Sequence, residues 1–169
     1  MPEHRWVLVR HAPAMPRDPA RWPGDRDRPI RPSGKIEFEE AAEGLAPLLG
    51  DKGTLVTSPL TRARETSTIV SRWWKNGGDP RIWPELEPEV APSALFDRAR
   101  AFRGSGDLVL VGHEPLLSSF AGYCIMGEGL SILKLSKGGA VALEFPGKVR
   151  PGAARILWAL TRNQLREMR

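Results

Sequence analysis

The sequence predicts one three-layer α/β/α sandwich domain, residues 1–169, with a mostly parallel sheet. Short apolar runs alternate along the chain with segments of helical spacing, the pattern that right-handed crossovers between parallel strands produce. Three of those runs end in polar residues, and parallel neighbouring strands would bring those ends together. A length of 169 residues with 41% hydrophobic content suits a single core.

The first strand covers about 5–10, where Trp6-Val7-Leu8-Val9 runs into Arg10-His11-Ala12. A loop rich in proline and arginine, 12–32, follows. Ser33 then starts a helix whose apolar face is Ile36, Phe38, Ala42, Leu45, Ala46 and Leu49, with Gly50 as its stop. The second strand, 54–57, leads through Ser58 and Pro59 into a helix bearing Leu60, Ala63, Thr66, Ile69, Val70 and Trp73. Pro59 fits its first turn, where the missing N–H costs nothing, and Ser58 is the expected N-cap, with a hydroxyl also able to reach a ligand. After the loop Asn76-Gly77-Gly78-Asp79-Pro80 come a short strand near Ile82-Trp83 and a helix over 93–102 capped by Ser93. The third clear strand, 108–112, is apolar throughout, as expected when both faces are covered. Helical spacing resumes after Pro115 with Leu116, Leu117, Phe120 and Ala121. Two last β-like runs, Ala140 to Phe145 and Ile156 to Leu160, flank the turn-like Pro146-Gly147.

Composition narrows the function. Lys and Arg number 25 against 20 Asp and Glu, for a net charge of +5. The arginines are interleaved with acids, as in Asp25-Arg26-Asp27-Arg28, so a solvated mixed-charge surface is favoured over the basic stripe of a nucleic-acid binder, and no nucleic-acid partner is expected. One cysteine, Cys124, excludes an internal disulfide and reads as a small buried hydrophobe. Three histidines offer no zinc-ligand spacing, so no metal and no cofactor are expected. No apolar stretch approaches the roughly 20 residues that cross a bilayer. The start Met1-Pro2-Glu3-His4-Arg5 lacks the apolar core of a signal peptide, which predicts a cytoplasmic protein with no membrane partner.

If the three polar strand ends converge, they assemble Arg10, His11, Arg62 and His113. Like charges held close repel and depress one another's ionisation, a penalty that an anionic ligand such as phosphate offsets. Phosphoryl transfer spreads charge over three equatorial oxygens, so its catalysis is mainly positioning and electrostatic stabilisation. Arginine suits that task because its planar fork binds two oxygens and keeps its charge. A neutral imidazole can attack phosphorus and divide the reaction into formation and hydrolysis of a phosphoenzyme.

The order and spacing of four segments resemble the histidine phosphatase superfamily, which includes phosphoglycerate mutases and acid phosphatases, and within it the small SixA-like phosphohistidine phosphatases. Leu8-Val9-Arg10-His11-Ala12 is similar to the family's Arg-His-Gly signature, with alanine in the glycine position. Arg28-Pro29-Ile30-Arg31-Pro32-Ser33-Gly34 resembles the segment preceding the family's first helix, Thr57-Ser58-Pro59-Leu60-Thr61-Arg62-Ala63 its Ser-Pro-x-x-Arg-Ala element, and Gly112-His113-Glu114-Pro115 its Gly-His-x-Pro element. The resemblance implies His11 as nucleophile, Arg10 and Arg62 as a clamp on the phosphoryl oxygens, His113 as a further donor, and Ser58 and Arg28 as additional substrate contacts. It also places Glu85, in Trp83-Pro84-Glu85, where the mutase-like branch carries a general acid; a solvated turn carboxylate is the competing reading.

The expected substrate is phosphohistidine in a phosphorylated protein, because the interval from Arg62 to His113 is too short to roof the pocket and an imidazole leaving group needs little protonation. The alternatives are a phosphomonoesterase for a small phosphate ester and a non-catalytic phosphate-binding module. The sequence leaves the oligomeric state open.

Overall fold

A computed structural model describes residues 4–169. In chain order the elements are β1 (His4–Arg10), α1 (Pro32–Leu45), β2 (Gly53–Thr57), α2 (Thr61–Trp73), β3 (Arg81–Ile82), α3 (Pro92–Ala101), β4 (Asp107–Gly112), α4 (Leu116–Met126), β5 (Ala140–Phe145), β6 (Arg155–Leu160) and α5 (Arg162–Glu167). The six strands form one sheet in the order β3-β2-β4-β1-β5-β6. β3, β2, β4 and β1 run parallel to their neighbours, while β5 is antiparallel to β1 and β6 to β5. The mixed sheet has a simple cause: β5 and β6 are joined by the loop 146–154, which holds no helix to make a parallel crossover.

Side-chain alternation builds the layers. Val7, Val9, Leu55, Val109 and Val111 face one side, where they pack against Phe38, Leu45, Ala63, Ile69, Val70 and Leu165 of α1, α2 and α5. Trp6, Leu8, Val56, Leu108 and Leu110 face the other, against Leu95, Phe96, Leu117 and Phe120 of α3 and α4. Burying both faces explains why β1 and β4 read as continuous apolar runs. Burial of each large apolar side chain contributes on the order of 2 kcal/mol.

Several details differ from the sequence reading, among them the start of α3 at Pro92 with Ala91 as its N-cap, which puts Ser93 inside the helix. α1 starts at Pro32, in the first helical position, with Arg31 as its N-cap; Ser33 is already inside the helix. α2 starts at Thr61 with Leu60 as N-cap, so Ser58 is no cap, and its hydroxyl instead accepts from the Leu60 N–H at 3.2 Å. α5 has no long apolar stripe to betray it, but Thr161 and Gln164 form a reciprocal capping box that the pattern Thr-x-x-Gln encodes.

Candidate active site

Parallel pairing sets the site. β2, β4 and β1 lie side by side, and hydrogen bonds continue past their carboxyl ends, from the His11 N–H to the Gly112 carbonyl and from the Ser58 N–H to the Val111 carbonyl, both at 3.0 Å. These contacts hold His11, Ser58 and His113 in one crevice, with the two imidazole centroids 5.2 Å apart. Arg62, in the first turn of α2, and Arg10, the last residue of β1, complete the cluster. The crevice opens into a cavity of about 730 Å³ lined by Arg10, His11, Arg28, Arg62 and His113 among others.

The site is held from behind. The Ala12 N–H donates to the Thr66 hydroxyl at 3.0 Å, which itself donates to the Arg62 carbonyl at 2.7 Å, so Thr66 ties the nucleophile loop to α2 as well as packing. The Ile30 N–H donates to the Glu65 carboxylate at 2.8 Å. Gly34 permits a close approach of backbone, since a Cβ there would lie 2.5 Å from the Pro13 carbonyl oxygen.

The partner of His11 fixes its imidazole proton, and that of His113, a hydroxyl, can either donate or accept. His11 Nδ1 lies 2.7 Å from the Ala12 carbonyl oxygen, which can only accept, so Nδ1 carries the hydrogen and Nε2 the lone pair. His113 Nε2 lies 2.7 Å from the Ser58 hydroxyl, whose other contact is the N–H it accepts. The arrangement that uses the serine proton has Ser58 donating to His113 Nε2, leaving Nδ1–H as a buried donor. Together with Arg10 Nε and Arg62 Nε, His113 Nδ1 is buried and has no protein partner. Such donors are costly to leave unpaired, and the oxygens of a phosphoryl group would supply their acceptors. Ser58→Ala is therefore expected to lower kcat by about 3- to 30-fold with little change in KM, the effect of losing an orienting hydrogen bond; unchanged kcat would show that His113 keeps its tautomer without it.

Both histidines are neutral. Burial first, then the charges of Arg62, Arg10 and Arg28, brings His11 down to about 3. Burial, His11, Arg62 and Arg10 bring His113 down to about 2. Each folded value lies below the unfolded one near 6.5, so between about pH 3 and 6.5 the unfolded chain binds more protons and stability falls as pH drops. Urea unfolding should show lower stability at about pH 5 than at pH 7.5, and a His11→Asn, His113→Asn variant should lose much of that difference. An undiminished difference in the variant would contradict the neutral assignment.

Of the loop arginines, Arg28 is buried and lines the cavity, donating to Asp25 at 2.7 Å and to the Met15 carbonyl at 2.8 Å. Arg17 and Arg31 also line it, whereas Arg26 pairs with Glu87 and Arg21 lies over Trp22. The sequence reading missed Asp25, which sits in the charge-alternating Asp25-Arg26-Asp27-Arg28 and looks like ordinary surface. Its backbone takes a left-handed φ of 56°, its carboxylate meets Arg28 and Arg62, and its carbonyl accepts from Arg62 at 3.1 Å. Arg28 and then Arg62 hold the Asp25 carboxyl below its ordinary value.

Glu85 is not brought to this cluster. It follows β3 in a short helical turn, does not line the cavity, and its carboxylate faces Arg98 of α3 at 3.9 Å. The lining carboxylates are Asp25, Glu89 and Glu114. Glu114 accepts from both the Ser118 N–H and the Ser118 hydroxyl at the start of α4. Away from the site, Cys124 is fully buried and its thiol is pushed well up by that burial.

A pair of imidazoles between arginine forks, at the carboxyl ends of parallel strands, defines a phosphoryl-handling α/β protein. The family described as histidine phosphatase superfamily (branch 1) matches residues 6–88; the chain belongs to that superfamily and is an enzyme of the phosphoric hydrolase class. An uncharacterized protein of Picosynechococcus sp. is 34% identical over 160 residues, covering 94% of this chain and 91% of the relative. Among solved structures, the protein histidine phosphatase SixA complexed with tungstate superimposes with a TM-score of 0.81 at 18% identity, over 95% of this chain and 99% of that one. A phosphoserine phosphatase of Entamoeba histolytica, in complex with 3-phosphoglyceric acid, gives 0.65 at 13% identity, over 96% and 99%. The native mycobacterial glucosyl-3-phosphoglycerate phosphatase gives 0.69 at 14% identity, over 95% and 100%. At these identities the three likenesses show the fold.

Proposed function

We propose that residues 1–169 act as one histidine phosphatase domain that removes phosphate from phosphohistidine in proteins, through a phosphoenzyme on His11. The observation that carries the covalent route is the His11 imidazole, neutral and with its lone pair on Nε2 by virtue of the Ala12 carbonyl, set among the unpartnered donors of Arg10, Arg62 and His113. In the first step Nε2 bonds to phosphorus while the bond from phosphorus to the leaving nitrogen breaks, its electron pair passing to that nitrogen; the substrate ring carries a proton on its other nitrogen, so it departs as neutral imidazole with no proton delivered to it. Arg10, Arg62 and the His113 Nδ1–H hold the three equatorial oxygens. In the second step water attacks phosphorus, the bond to His11 breaks with its electron pair returning to Nε2, and phosphate leaves carrying the two protons of the water.

The carboxylates support the substrate. Of the lining carboxylates, Asp25 is engaged by two arginines, Glu114 accepts from Ser118 through both oxygens, and Glu89 is exposed at the rim with no side-chain partner among the described residues; Glu85 lies off the cavity. An alkoxide leaving group needs a strong proton donor, whereas an imidazole, with a pKa of about 6.5, departs with far less help. SixA, described as a protein histidine phosphatase, shares the fold over nearly its whole length. Nothing between α2 and β4 closes over the cavity as a separate domain, and α3 packs on the far face of the sheet. We place the protein in the cytoplasm; no helix among the described residues is long and apolar enough to cross a membrane.

Side-by-side assay on a phosphohistidine-bearing protein and an alkyl phosphate tests this reading, with faster turnover of the phosphohistidine expected and preference for the ester contradicting it. In the same assay Glu85→Gln should change kcat on either substrate by less than about threefold, as for other substitutions outside a site. A loss near 10²-fold confined to the ester would restore Glu85 as a general acid.

A further inference from the structure

We propose that Lys137 and Arg31, with Lys134 beside them, form an outer anion subsite that receives a second negatively charged group of the substrate next to its phosphoryl group; this rests on the phosphatase reading. Lys137 is anchored to the catalytic strand. The Gly138 N–H donates to the carbonyls of Arg10 and His11, both at 3.1 Å, and the Arg10 N–H donates to the Gly139 carbonyl at 3.1 Å. Arg10 also donates to the Leu135 carbonyl at 3.0 Å, and Arg162 to that of Lys137 at 3.2 Å. The backbone carrying Lys137 therefore has a fixed place at the lip of the cavity.

Arg31 reaches the same lip from the N-cap of α1, and both residues line the catalytic cavity. A second cavity of about 450 Å³, lined by Arg10, Lys134, Lys137 and Arg162, adjoins it through Arg10 and Lys137. Among the described residues Arg31, Lys134 and Lys137 make no ion pair, whereas Arg28 and Arg62 are already engaged by Asp25 and Arg162 by Glu37. Lys137 is exposed at the lip, where partial desolvation and then the charges of Arg10, Arg31, Arg28 and Arg162 hold it below the ordinary lysine value.

The strand order gives the crevice a polarity. Glu89 and Glu114 follow β3 and β4 on one side of Arg10, and Lys134, Lys137 and Arg162 flank β5 and β6 on the other. A second anion is repelled from the first side and attracted to the other. Two sources share that chemistry: acidic side chains flanking phosphohistidine in a protein, and a carboxylate on a small phosphate ester.

The test uses the full chain and matched substrates. One pair is a phosphohistidine peptide flanked by two glutamates against the same peptide flanked by two glutamines. The other is 3-phosphoglycerate against glycerol 3-phosphate, and phosphoramidate, with no second charge, is the reference. The acidic member of a pair should be favoured in kcat/KM by about 3- to 10-fold, the scale of one or two partly exposed charge contacts. The preference should shrink with added salt. It should vanish in a Lys137→Gln, Arg31→Gln variant whose turnover of phosphoramidate falls by less than about threefold. A preference in the peptide pair alone identifies flanking acids as the source, and one in the ester pair alone a small carboxylated ester. The subsite is overturned if neither pair shows a preference while phosphoramidate is hydrolysed, or if the preference survives in the double variant. Failure of the wild type to hydrolyse phosphoramidate or any other of these substrates overturns the phosphatase reading, and the subsite falls with it.

Discussion

Replacing His11 with alanine is expected to lower kcat by roughly 10⁴- to 10⁶-fold, the scale on which removal of a covalent nucleophile acts. No neighbour can substitute. His113 presents a hydrogen, not a lone pair, once Ser58 donates to its Nε2, and Cys124 is buried within the core with its thiol protonated. The small Ala12 side chain and the carbonyl beside it stay in place, so the fold should be kept and the loss should lie in chemistry. Circular dichroism and unfolding at pH 7.5 would verify the fold, and steady-state kinetics on phosphohistidine the loss. Retention of a tenth of the activity would remove His11 from the reaction.

Arg62→Ala is expected to lower kcat/KM by roughly 10²- to 10³-fold, the effect of losing one preorganised charged donor in a site where charge develops. Arg62 is buried in the first turn of α2 and gripped by both the carbonyl and the carboxylate of Asp25, so its fork has a fixed direction. Its removal also leaves the Asp25 carboxylate without one of its two cations, facing the incoming phosphoryl group. Arg62→Lys should recover only part of the loss, because an ammonium cannot bind two oxygens in the plane of a fork. Full activity in the lysine variant would reduce Arg62 to a general positive charge.

Most of the fold was legible because both faces of the central strands are covered. Leu8, Val56, Val109 and Leu110 are buried whichever way they point, so the runs containing them stand out whatever the register. The antiparallel direction of β5 and β6 was not legible, since periodicity carries no strand direction; only the short loop 146–154 bears on it. Helix α5 escaped because its single buried residue, Leu165, makes no periodic pattern.

The candidate site was legible where its residues end strands: Arg10, His11 and His113 follow apolar runs, and Arg62 follows one through Ser58-Pro59. Asp25, Arg31 and Lys137 come from loops, where no periodicity marks a residue that borders a cavity; the hydrogen bond to Arg62 distinguishes Asp25, and only their place at the cavity lip distinguishes the exposed Arg31 and Lys137 from other surface charge. Glu85 shows the reverse failure. Its place along the chain suggested an acid, but the turn at Pro84–Leu86 directs its carboxylate to Arg98.

The most direct test of the covalent route is to trap the intermediate. The protein would be mixed with a substrate carrying a labelled phosphoryl group, quenched without acid within a turnover, digested, and its peptides mapped. Label should lie on His11, stable to alkali and lost in acid as expected of a phosphorus–nitrogen bond, and should be missing from His11→Ala. Turnover with no label on the protein, or with equal label in the alanine variant, would contradict a phosphohistidine intermediate.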